Sequence, residues 1–372
     1  MTNRFLLFTF IFVLTSINSF SQVEDTTYQE VEGVLVSSEK ERQIVFEDTK
    51  FYVIDFAFME ERTFLLLRNM GKYVLTELDE QLALKQELQL EQNANSLFTD
   101  CFGNIHLVAK DSAYLILTGE AELSLTEPQP TAEFLGAMKK CVAMTSEKLI
   151  FEEYRHYYQF HAFYTVDASN GERKTIYEIN DSIRAYSLND AAEDLYSKSV
   201  NLAEIMRSDE MYAEIMHSGA DELVSNRIQR EMNARMDRII FFETIVVVPE
   251  YNPLFVVNDT LCFFNHSEGR LDRLDQSGKQ LSSCSIEHHL NSGWQHEIYF
   301  DRAREQFYGL FLNDGTYEIN TIAVGGMTGD FSTSPITEYA RPKKILIRDG
   351  YAYYTFRPTS DAHLNKLYRQ KL

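Results

Sequence analysis

The chain has 372 residues, 44% of them hydrophobic, with 26 Phe and 21 Tyr against one Trp, so it holds ample material for a packed core rich in strand-favouring aromatics. Its formal charge is −21, from 56 Asp and Glu against 35 Lys and Arg. That balance excludes nucleic acid and anionic membrane surfaces as partners, because repulsion slows every encounter and no basic stripe offsets it.

Met1–Ser21 reads as a secretory signal peptide: Arg4 supplies a short basic region, an apolar run extends from Phe5 to Leu14 and on to Ile17, and the small Ser19 and Ser21 stand at the cleavage positions. The run is shorter than the roughly 20 apolar residues a membrane span needs. The mature chain is expected to begin at Gln22, periplasmic or extracellular. It is not expected to be lipid-anchored, since no cysteine follows the run.

Short strand pairs then recur along the chain: Tyr52–Met59 with Thr63–Leu67, Ser96–Asp100 with Asn104–Ala109, and Cys141–Thr145 with Lys148–Tyr154. After an interval come Leu254–Val257 with Leu261–Asn265, Glu297–Phe300 with Gln306–Leu312, and Lys344–Ile347 with Tyr351–Phe356. Uninterrupted neighbours are spaced by roughly 41 to 47 residues, the period of a four-stranded blade. Polar turns of one type link strands inside the units, as in Leu78-Asp79-Glu80-Gln81 and Leu274-Asp275-Gln276-Ser277-Gly278-Lys279. In these turns Asp bonds its own backbone and Gly supplies a positive φ. The last unit is one strand short, and Val31–Ser37 or Gln43–Glu47 is expected to complete it. Units one to three thus occupy 22–183 and units four to six 239–372.

This rhythm resembles the six-bladed β-propeller repeat proteins, broadly the NHL-like, YWTD-like and TolB-like group. The resemblance implies an all-β ring closed by the N-terminal strand and interrupted by a helical insertion. The competing architecture is two β-sandwich domains flanking a helical domain.

The insertion, 184–238, carries apolar residues at helical spacing, with Asn189 or Asp190 as an expected N-cap. It follows the fourth strand of unit three, which in a propeller sets it as a cap on one mouth of the ring. Met206, Met211 and Met216, with Met232 and Met236, give it either a partner-binding surface or a core between short helices.

The second candidate is the link from unit four to unit five, with His288, His289, Trp294, His296 and Glu297. These residue types suit a transition metal, a sugar or a cation, or belong to an ordinary polar loop. His156 and His161 are weaker, because an odd separation in a strand turns them to opposite faces. Asp100, Asp259, Asp301 and Asp349 stand at the inner hairpins, where they either ring a calcium ion or cap turns.

The four cysteines are expected to be buried free thiols. Cys262 and Cys284 fall two strand spacings apart, about 9–10 Å, beyond the reach of a disulfide. Cys101 and Cys141 are placed near opposite ends of neighbouring strands.

No Gly-x-Ser-x-Gly elbow, His-Glu-x-x-His pair, phosphate-binding loop or dinucleotide fingerprint occurs. The sequence therefore points away from catalysis, with no cofactor and no metal. It points to an exported binding or scaffold protein with a protein or glycan partner on the capped face, the alternative being a metal-assisted hydrolase or lyase at the channel mouth. It leaves the oligomeric state open.

Overall fold

Alternating polar and apolar residues, broken every few positions by Asp- and Gly-bearing turns, fold among the described residues into six antiparallel sheets, each of consecutive strands except the last. The computed structural model describes residues 42–372 apart from 47–49, 120–121, 156–158, 168–169, 194–229, 231–232, 235, 243–249, 325–331, 339 and 358–364. The first sheet takes Tyr52–Met59, Arg62–Asn69, Lys72–Leu78 and Leu84–Leu90. The second takes Ala94–Thr99, Ile105–Ala109 and Ser112–Thr118, against which Leu123–Leu125 and Gln129–Pro130 both pair as a broken fourth strand. The third, fourth and fifth sheets begin at Cys141–Met144, Leu254–Val257 and Trp294–Asp301. The sixth orders Ile345–Arg348, Tyr351–Phe356 and Lys366–Lys371, then adds Gln43–Ile44 from the start of the chain, with Gln43 opposite Arg369 and Ile44 opposite Tyr368.

The architecture is mostly β with few helices, in the manner of a β-propeller. Among the described residues six successive sheets are formed, five of four strands and one of five, in place of the two sandwiches of the competing reading. Of the two segments expected to complete the last sheet, Gln43–Glu47 contributes a strand, two residues long; Val31–Ser37 lies outside the described residues. No helix among the described residues is long and apolar enough to cross a membrane.

Burial is concentrated between sheets. Phe64, Leu66 and Leu75 of the first sheet pack with Leu97, Ile105 and Leu107 of the second. Phe163 and Ile176 of the third meet Leu261 and Phe263 of the fourth. Cys262 and Phe264 of the fourth meet Ile298 and Phe307 of the fifth, whose Tyr308 and Leu310 in turn pack with Tyr354 and Tyr368 of the sixth. Tyr353 and Leu367 of the sixth lie against Phe56 and Leu67 of the first. Each side chain of this size, fully buried, contributes roughly 1.5–3 kcal/mol.

The second and third sheets are joined differently. Helix Thr131–Met138 packs Phe134 on Phe98 and His106, with ring centroids 5.7 and 4.5 Å apart. Beyond it, Cys101 and Cys141 form a disulfide, Cα atoms 5.8 Å apart. This overturns the expectation of four free thiols; Cys262 and Cys284 are free. The first strand of the third sheet is only four residues long, and Cys141 pairs with Phe151, close to the following hairpin. A strand that short has no distant end, so Cys141 starts beside the hairpin that carries Cys101.

The turn chemistry works at the atomic level. Asp79 Oδ1 accepts from Gln81 N and Ala83 N at 2.9 and 2.8 Å, and Asp275 Oδ1 accepts from Ser277 N and Lys279 N at 2.9 and 3.0 Å. Gly278 adopts φ +88°, and a Cβ there would stand 3.1 Å from the Ile176 carbonyl, so both backbone and space demand glycine. The Asp residues of the inner hairpins are occupied in the same way. Asp100 accepts from Phe102 N and Asn104 N and contacts His106 at 2.8 Å, Asp259 accepts from Ser146 N and Oγ at 3.0 Å, and Asp301 accepts from Ala303 N and Gly350 N. Asp349 lies 3.6 Å from Arg348. These contacts make them turn caps and ties between sheets.

Candidate functional site

Residues 182–193 and 236–241 are helical. The first helix begins earlier than its expected cap: Asp181 Oδ1 accepts from Arg184 N at 2.9 Å, and Asn189 and Asp190 lie inside it. Leu188 and Ala192, four apart, are buried as the helical spacing requires. Met236 is exposed, while Met206, Met211, Met216 and Met232 lie outside the described residues.

Beside the first helix, between the third and fourth sheets, opens a cavity of about 1320 Å³. Its origin is the same short first strand. The second strand of the third sheet runs Leu149–Arg155, but the first strand pairs with it only as far as Phe151. Glu152 N still donates to the Lys140 carbonyl at 2.9 Å, and Glu153 and Tyr154 extend beyond; all three line the cavity together with His161, Tyr164 and Arg173 from the neighbouring strands. Lys139 and Lys140 enter from the turn that follows helix Thr131–Met138; Arg184 comes from the insertion, Glu250 to Leu254 from the entry to the fourth sheet, and His296 from the fifth.

Ion pairs fix much of this wall. Arg155 Nε and Arg173 hold the Glu153 carboxylate at 3.0 and 2.7 Å, which lowers its pKa, and the Arg173 guanidinium also lies 3.6 Å from the Tyr164 ring centre. His161 Nε2 donates to Glu152 at 3.1 Å. The sequence pattern set His161 aside, yet its buried ring faces this wall; His156 lies outside the described residues.

The His288–Glu297 link reaches the same cavity at His296. His266, at the end of the second strand of the fourth sheet and unflagged by the sequence, is the centre of the group. Its backbone N donates to Asn252 Oδ1 at 2.8 Å, and its Nδ1–H donates to the Tyr251 carbonyl. With Nδ1 protonated, Nε2 of the neutral ring presents a lone pair and accepts from His288 Nε2–H at 3.0 Å. Trp294 is 7% exposed and packs on His266 and His296 with centroids 4.7 and 4.4 Å apart, and His289 lies 5.4 Å from His266. The structure thus brings His288, His289, Trp294 and His296 together around His266. The available signal was a histidine closing an apolar run, Phe263-Phe264-Asn265-His266, on the same link face. Glu297 turns away to accept from Tyr299 and pair with Arg341.

Burial disfavours the charged form of three imidazoles, with His266 pushed down to about 4, His288 to about 3, and His289 lowered. Neutral end-to-end rings are a packing device. Among the described residues no group of three or more His, Cys, Asp and Glu side chains is arranged to hold a metal ion.

The sign of the resulting pH effect follows directly. A histidine of pKa 6.5 when unfolded and lower when folded is neutral in both states at pH 8 and costs nothing. Between pH 6.5 and 4 the unfolded chain takes up the proton and the folded one does not, so stability falls with pH. Thermal melts from pH 8 to 4 should therefore show a steeper loss for the native chain than for one carrying His266→Gln and His288→Gln. Parallel curves would show that these rings titrate normally.

No protein-family model and no curated protein sequence matches the chain. Among solved structures it is similar to virginiamycin B lyase from Staphylococcus aureus, at 11% identity and a TM-score of 0.36, covering 89% of this chain and 99% of that one. It is similar also to a luciferin-regenerating enzyme, at 8% identity and a TM-score of 0.39, covering 89% of this chain and 95% of the other. A 6-phosphogluconolactonase-like protein from Bacteroides uniformis gives 8% identity and a TM-score of 0.32, with 84% and 79% covered. These structural neighbours are β-propeller-like.

Proposed function

We propose that this chain is an exported, non-enzymatic binding protein: a six-bladed propeller closed by its N-terminal strand, which holds a protein or glycan partner at the mouth beside the helical insertion. The observation that carries the binding role is the 1320 Å³ cavity between the third and fourth sheets, bounded by charged, amide and phenolic groups. Binding sites are concave and carry a few convergent polar groups, and this one is larger than a drug-sized pocket of roughly 300–1000 Å³. Six consecutive sheets with apolar or covalent ties between successive members support the blade count, and the pairing of Gln43–Ile44 with the last strand supports closure. The Cys101–Cys141 disulfide supports export, since such bonds persist in oxidising compartments.

Binding of the purified full chain to a defined glycan panel, together with capture of proteins from the envelope fraction, tests the reading when repeated with His296→Trp, which fills the cavity mouth. Retention by the native chain and loss in a variant of unchanged Tm is the expected result. Equal retention by both, or none by either, removes the cavity as the binding site.

A further inference from the structure

The cavity wall reverses the charge balance of the molecule. Its lining carries Lys139, Lys140, Arg173 and Arg184 against the three carboxylates of Glu152, Glu153 and Glu250, whereas the chain as a whole has 56 acidic residues against 35 basic ones. Glu153 is already neutralised by Arg155 and Arg173. Lys139 and Lys140 make no side-chain hydrogen bond or ion pair among the described residues, so two ammonium groups stand on the wall with their donors uncommitted. In a chain this acidic, cations gathered without protein partners focus the local field on an anion.

The two remaining carboxylates decide what kind of anion. Glu152 accepts from His161 at 3.1 Å and Glu250 from Ser267 Oγ at 2.6 Å, and each has further lone pairs toward the cavity. A polyacidic peptide would meet these carboxylates with repulsion, whereas sugar hydroxyls donate to them while a sparse carboxylate takes the lysines. Resting on the binding reading above, we infer that the cavity takes an acidic oligosaccharide, its uronate carboxylate on Lys139 and Lys140 and its hydroxyls on Glu152 and Glu250.

Titration calorimetry of the full chain at low salt tests this with tetrasaccharide fragments of hyaluronan and of polygalacturonate, the same fragments with their carboxyls reduced to alcohols, and a tetraglutamate peptide. The acidic sugars should bind at least tenfold more tightly than the reduced ones and weaken as salt is raised. Lys139→Glu with Lys140→Glu should cost at least tenfold in affinity for the acidic sugars and leave Tm and affinity for the reduced sugars unchanged, since both side chains are exposed. Equal binding of acidic and reduced sugars would overturn the charge assignment while leaving a glycan-binding cavity in place. Tetraglutamate binding as tightly as the acidic sugars would overturn the carbohydrate assignment. Failure of the acidic fragments while a neutral glycan from the panel binds would overturn the inference alone; failure of every ligand would overturn the binding reading with it.

Discussion

Cys101→Ser with Cys141→Ser should lower the melting temperature by about 4–8 °C. The bond closes a loop with a sequence separation of 40, and restricting a loop of that size in the unfolded chain contributes about 4 kcal/mol. The effect is concentrated because of where the bond lies. Every other pair of successive sheets shares a buried apolar cluster among the described residues, whereas the second and third meet through a helix carrying one buried Phe134 and through this covalent tie. Alkylation of the denatured, unreduced native protein should label two thiols, Cys262 and Cys284, and reduction should expose two more. Four labelled thiols before reduction, or a double variant that melts with the native protein, would show that the bond does not form.

Asp55→Ala should cost about 3 kcal/mol in urea unfolding, through a different interface. Asp55 sits on the first strand of the first sheet and is 8% exposed. Its Oδ2 accepts from Leu97 N of the second sheet at 2.8 Å, and its Oδ1 accepts from Phe56 N at 2.8 Å and from Lys344 Nζ, beside the sixth sheet, at 2.7 Å. One carboxylate therefore links three sheets, the first, the second and the sixth, beside their first strands. Its removal leaves the buried Leu97 N–H without an acceptor, a loss that apolar truncation of similar size does not inflict. Asp55→Asn, which keeps an acceptor but not the charge, should fall between the two. A cost below about 1 kcal/mol for Asp55→Ala would show that water replaces the carboxylate at this junction.

Much of this architecture was legible because it is written in local chemistry. Turns such as Asp275-Gln276-Ser277-Gly278 declare themselves through side chains that bond their own backbone, and their recurrence set the strand rhythm. The disulfide was hidden because its distance depends on how far one strand extends, and strand length is a tertiary matter: the first strand of the third sheet has four residues, after a helix that ends at Met138. The cavity depends on the same tertiary arrangement, so Glu152 and Tyr154 were read only as part of the strand Lys148–Tyr154. The histidine loop was visible as a composition anomaly, but His266, its buried centre, comes from another strand and carried no local mark. The expected helix start at Asn189 or Asp190 failed because Asp181, the residue directly after the preceding strand, caps the helix.

The pairing of Gln43 with Arg369 spans 326 residues of sequence and has a consequence for the order of folding. Strand pairs within a sheet join segments a few residues apart, so their loops cost little entropy to close, whereas this contact closes a loop almost as long as the described chain. It is therefore expected to form after the local hairpins, and until it does the strand Lys366–Lys371 is an open edge prone to mispairing.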